Sequence, residues 1–314
     1  MDGFKDSQYL ILGTIGILII SSSMFVYLYS PVSAHNFSIN ESAAFLAMTE
    51  ALKAEVQLVQ QNLANNNRSM ASEHANKALA LLSENVTKEI AERNQRLADD
   101  LQTALTSIKA STESASSNDT ASDISFLVSD TSDIIDEVVS SRVDPEQLNN
   151  STIQALRMVE LIDKLLTNYG DAYAVGFDMT NMSMMVMGNN SDEMTSLSAM
   201  NMSMDNSKVG NLSSGSMPMN NNISASDITI IDTTDYQTAQ ALALKIQEIF
   251  KGQITNASLS EDTGTASQSI DSIASALQEL ITNIDSKASP MDVMTIVHTK
   301  VHPNFVLAFG LQLI

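Results

Sequence analysis

The sequence predicts a mainly α-helical protein. An N-terminal transmembrane or signal helix precedes an extracytoplasmic bundle of long antiparallel helices, with a Met-rich irregular loop and a short C-terminal β-like segment. Three observations predict it. Apolar residues recur at steps of three and four along most of the chain, the period of a helix with one buried face. Gly (11) and Pro (5) are scarce in 314 residues, so few breakers interrupt those stripes. Residues 9–29 carry no charge at all. The chain divides accordingly into 1–34 (stub and anchor or signal), 35–175 (first part of the bundle), 176–226 (Met/Asn/Ser-rich loop), 227–290 (second part) and 291–314 (strand-like apolar end).

The first element runs from Tyr9 to Tyr29, 21 residues rich in Leu and Ile with aromatics at both ends, long enough to cross a bilayer. Lys5 is the only basic residue before it and none follows until Lys53, so the positive-inside bias puts the N-terminus in the cytoplasm and the bulk of the chain outside. A single-pass cell-membrane protein is the reading. The alternative is secretion after cleavage following Ala34, where Val32-Ser33-Ala34 offers small residues behind Pro31. Cleavage there makes His35 the first residue, and an α-amine with an imidazole resembles the amino-terminal copper sites of several secreted copper proteins.

Phe45, Met48, Leu52, Val56, Val59 and Leu63 then place one stripe on a helix over about 40–65. Val86, Ile90, Leu97, Leu101, Leu105 and Ile108 mark a second. A third carries Ile124, Leu127, Val128, Ile134, Ile135 and Val138 after a Ser-rich break. Asp144-Pro145 opens a fourth, with a cap and a first-turn proline before Ile153, Leu156, Val159, Ile162 and Leu166. Ala239, Leu242, Ile246 and Ile249 give the next, and Ile270, Ile273, Leu277, Leu280 and Ile284 the last. Stripes of this kind need partners, and a bundle supplies them.

Eleven of the 18 methionines lie between Asp178 and Asn220, among Asn, Ser, Gly, Thr and Asp and without an aromatic. They are Met179, Met182, Met184, Met185, Met187, Met194, Met200, Met202, Met204, Met217 and Met219. Core methionines fill gaps between other apolar side chains, and such neighbours are missing here. Thioethers are poor ligands for hard cations and good ones for Cu(I). The spacings Met182-x-Met184, Met185-x-Met187, Met200-x-Met202-x-Met204 and Met217-x-Met219 resemble the Met-rich segments of extracytoplasmic copper-handling proteins. That resemblance implies a Cu(I) site. The competing reading is a low-complexity polar linker whose methionines absorb oxidants.

The end of the chain reads Thr-Ile-Val-His-Thr-Lys-Val-His before Pro303, and its β-branched and aromatic content predicts a strand that packs on the bundle or enters a partner. His298 and His302 share one face in either a strand or a helix, a candidate divalent pair with Asp292 or Asp285 near in sequence. His74 follows Met70 by four residues, a possible soft-metal pair or a histidine at a helix interface. Asp130, Asp133, Asp136 and Glu137 form an acidic helix face that reads as solvated.

Composition excludes more than it selects. A net charge of -21 without a basic run excludes nucleic acid as a partner. Thirteen Asn-x-Ser/Thr sites, at Asn36, Asn40, Asn67, Asn85, Asn118, Asn149, Asn150, Asn181, Asn189, Asn201, Asn211, Asn222 and Asn256, suit an exported glycoprotein. The lack of cysteine excludes a disulfide framework. No zinc-protease helix, nucleophile elbow or phosphate loop occurs, and the expectation is a protein without catalysis. Two readings stay in play: a tethered copper-binding protein for storage or delivery, and a glycosylated structural or assembly subunit of the cell envelope. A sensor ectodomain is disfavoured because only eight residues precede the span.

Overall fold

The computed structural model describes residues 35–113, 121–181, 229–254 and 264–311. The Tyr9–Tyr29 span, the cleavage point after Ala34 and the methionines from Met182 to Met219 lie outside the described residues. Within them the chain is helical, without a strand, and no helix is long and apolar enough to cross a membrane.

Several helices start where the sequence offers a cap. Ser38 opens α1 (Ile39–Ala64) through a capping box with Glu41, and Asn67 opens α2 (Arg68–Leu81) by accepting from Met70 N. In α3 (Glu84–Glu113) the backbone leaves helical geometry at Asn94 (φ -154°, ψ 95°). The Asn94 side chain accepts from Leu97 N, so it acts as an internal cap at which the helix restarts. α4 (Ala121–Arg142) and the single turn α5 (Pro145–Leu148) lead to α6 (Ser151–Ala172), capped by Asn150. α7 (Thr233–Ile249) is capped by Asp232 and runs into a widened π turn, Phe250–Ile254. α8 (Gly264–Asp285) precedes α9 (Pro290–Ile296), a second π turn (Val297–Val301) and α10 (His302–Phe309).

Side-chain pairs give the directions. α1 and α4 are antiparallel, with Gln60 on Ser125, Lys53 on Asp136 and Phe37 under Arg142. α1 and α7 are antiparallel too, through Asn62 on Gln237 and Lys245 beside Glu50. α7 and α8 follow suit, with Gln240 on Asp285 and Gln247 on Gln278. The expected bundle of antiparallel helices therefore forms. Residues 35–38 and 142–151 share one end, where Gln147 donates to Phe37 O. The stems of the Met-rich segment lie at the other, where Ile231 N and Asp232 N both donate to Ala172 O.

The core has two clusters, and α1 belongs to both. Its large side chains, Phe45, Leu46, Met48, Leu52, Val56 and Val59, pack with α2, α3 and α4. Its small ones, Ala47, Ala51 and Ala54, let α6 and α7 pack close on the opposite side. The two parts of the bundle thus meet along a shared helix, and α6 packs with the second cluster although it precedes the Met-rich segment.

The C-terminal segment is helical, which corrects the strand expectation. Val293, Val297, Val301 and Phe305 are buried in the second cluster at a strict four-residue step. An α-helix has 3.6 residues per turn, so such a stripe drifts around it. The π turn adds a residue to one turn and brings the stripe back into register. Ser289 and Pro290 start this helix and Gly310, at φ 60°, ends it. β-branched content misled because burial of one face outweighs a propensity of at most about 1 kcal/mol.

Candidate metal centre

His298 sits in the second π turn and is buried. Its Nε2 lies 2.9 Å from the backbone oxygen of Met179. A carbonyl only accepts, so Nε2–H donates to it, and in the neutral ring the lone pair available to a metal is then on Nδ1. Metal-binding histidines are commonly oriented in this way. One turn on, the His302 ring stands edge-on to His298 with centroids 5.2 Å apart. His302 Nε2 is buried without a hydrogen-bond partner, and the nearest acid, Asp163 Oδ1 of α6, is 3.8 Å away. That distance is too long for a hydrogen bond.

Electrostatics reinforce the geometry. Burial, with His298 beside it, pushes the pKa of His302 down to about 4, so the ring is neutral near pH 7. Burial, then the negative charges of Glu160 and Asp178, raises Asp163 to about 6, against a lowering pull from Lys164. Asp178 moves the other way, held ionised first by hydrogen bonds from Thr180 and then by His298. Two imidazoles therefore face a concentration of carboxylates beside the first residues of the Met-rich segment.

Of the predicted thioethers, Met179 alone lies among the described residues, and it is a core residue. It is 2% exposed, and its Sδ stands 3.0 Å from the place a Cβ on Gly170 would occupy. The packing account excluded for the segment as a whole therefore applies to Met179. Asp292 and Asp285 do not join the histidines: Asp292 accepts from Ser289, and Asp285 accepts from Gln240. The acid that does approach, Asp163, is 139 residues earlier in the chain, and no sequence spacing points to it.

His35 lies at the opposite end. Its Nδ1 is 3.0 Å from Glu92 Oε2, and Glu89 is near enough to make these three a possible cation group. Arg142 already occupies that role. Its guanidinium, fully buried and 3.5 Å above the Phe37 ring, donates to Glu89 (2.7 Å) and to His35 O (3.0 Å). Nδ1, the atom that would chelate with a terminal amine, is thus engaged. His74 is also committed. Its two ring nitrogens meet Glu55 Oε2 (2.7 Å) and Gln237 Oε1 (2.9 Å), while the Met70 sulfur accepts from Thr234. The interface reading of His74 fits this geometry and leaves no nitrogen for a metal. Asp130, Asp133, Asp136 and Glu137 are all exposed, with Asp136 paired to Lys53.

No known protein family, no curated protein and no solved structure matches the chain.

Proposed function

We propose that this is an extracytoplasmic, membrane-tethered protein that binds copper as Cu(I) through the thioethers of the Met-rich segment, for storage or delivery. The observation that carries the reading is the hydrogen bond from His298 to Met179 O, which starts the methionine run on a pair of imidazoles. Met182 follows Met179 by three residues, a reach of at most about 11 Å. The thioethers of the segment form the soft donor set that Cu(I) prefers. The bound ion would exchange between weak thioethers, and the bundle's part is to anchor the start of the segment through His298. Both stems hang from Ala172, so the segment is an insertion at the end of the bundle remote from residues 35–38.

An anaerobic Cu(I) titration against a chromophoric chelator tests this. The parent should bind at submicromolar affinity or tighter. A variant with Met182, Met184, Met185, Met187, Met200, Met202 and Met204 changed together to Leu should lose that binding and keep its circular dichroism. Equal weak uptake by both chains rejects the copper reading.

One observation favours the second reading, a glycosylated structural subunit of the envelope. All seven described acceptor sites, Asn36, Asn40, Asn67, Asn85, Asn149, Asn150 and Asn181, are exposed. Intact-mass measurement on chain from a glycosylating host distinguishes them: added hexose mass without Cu(I) binding supports the subunit.

A further inference from the structure

We propose that Asp163, His298 and His302 form a second, distinct site, one that takes a divalent borderline cation of the copper(II) or zinc(II) class through nitrogen and oxygen donors. The proposal does not depend on the thioether reading, since none of its donors is a sulfur.

Four observations converge on it. The Met179 carbonyl fixes the proton of His298 on Nε2, leaving Nδ1 free to bind. His302 Nε2 is a buried polar atom with no partner, and a buried group of this kind is costly to leave unmet. The 3.8 Å between His302 Nε2 and Asp163 Oδ1 is a gap that an ion about 2.0–2.2 Å from each donor can span. Glu160 and Asp178 add negative charge around Asp163, against the pull of Lys164. Both rings belong to neighbouring turns of one element, and the acid comes from α6 packed against it. The three donors are not yet gathered within 4.8 Å of one another; turning the Asp163 carboxylate, which is partly exposed, toward the rings would close the set, with water completing it.

The contrast with His35, Glu89 and Glu92 is instructive. Those three donors converge more tightly, yet Arg142 is already paired with both of their carboxylates. At Asp163 no guanidinium intrudes among the described residues.

Copper(II) added to the full chain and followed by electron paramagnetic resonance decides the matter, because nitrogen ligands split the copper signal. The parent should show coupling to two imidazole nitrogens. His302→Gln should remove one of them and weaken binding at least tenfold, and Asp163→Asn, at a partly exposed position, should weaken it about tenfold with the fold intact by circular dichroism. The Met-to-Leu chain and His35→Ala should keep the parent signal. A parent signal without nitrogen coupling, one unchanged in both His302→Gln and Asp163→Asn, or one lost in the Met-to-Leu chain overturns the proposal. If Cu(I) binding fails while these copper(II) results hold, the thioether reading falls and this site stands.

Discussion

At the scale of residues, buried polar groups carry most of the consequences. Glu55 and His74 are both buried and 2.7 Å apart, with Thr238 donating to the other Glu55 oxygen and Gln237 meeting the second ring nitrogen. Removing one member leaves the other buried and unpaired, so Glu55→Leu should cost about 3–5 kcal/mol. Urea unfolding measures this as a lower midpoint at unchanged slope. His302 and Asp163 lead to a pH prediction. Burial holds the first at about 4 and raises the second to about 6. Between those values folded His302 lacks a proton that the unfolded chain binds, which makes stability rise with pH. Folded Asp163 carries one that the unfolded chain lacks, which makes stability fall with pH. The two effects oppose each other, though Asp163 is partly exposed and its share is the weaker. Asp163→Asn removes that share. Its stability should therefore drop more steeply than the parent's on acidification from pH 6 to pH 4, by at most about 1.4 kcal/mol per pH unit. Thermal melts across this window, parent against variant, check the sign.

At the scale of elements, α1 has a large face and a small face, and each is specified. Leu52 is fully buried on the large face, and Leu52→Ala should cost about 2–5 kcal/mol. Ala51 lies on the small face against α6 and α7, where Ala51→Leu should overpack the contact by about 1–3 kcal/mol. Denaturant midpoints for the two variants report both. The large face was legible in the sequence as Phe45, Met48, Leu52, Val56 and Val59. The small one was not, because Ala47, Ala51 and Ala54 are equally at home in a buried or an exposed helix. The restart at Asn94 left a trace, since the stripe skips from Ile90 to Leu97 with nothing between. At the C-terminus the four-residue step of Val293, Val297, Val301 and Phe305 was present, but β-branched composition masked it. The histidine pair was legible from its spacing, whereas Asp163 was not, since tertiary packing alone brings α6 to it.

For the whole molecule, one helix common to both core clusters predicts a single cooperative unfolding transition, with near- and far-ultraviolet circular dichroism changing together. It also predicts that the Met-rich segment is dispensable for folding. Its stems meet at Ala172 O, so replacing residues 182–228 by a short Gly/Ser linker shortens a loop without stretching it. Stability should hold or rise by up to about 2 kcal/mol from reduced closure entropy, as a melt of the shortened chain would show. A large loss would mean that the segment packs on the bundle.

The same shared helix has a consequence in time. Glu55 meets Thr238 across 183 residues of chain, so during synthesis at about 5–20 residues per second the second face of α1 waits roughly 10–40 s for α7 to emerge. A face of leucines left open that long would invite aggregation. Apart from Leu58, this one presents Ala47, Ala51, Ala54, Glu55 and Asn62, short or polar side chains that water tolerates until their partners arrive. The polarity buried in the finished bundle is thus also what keeps the nascent half of it soluble.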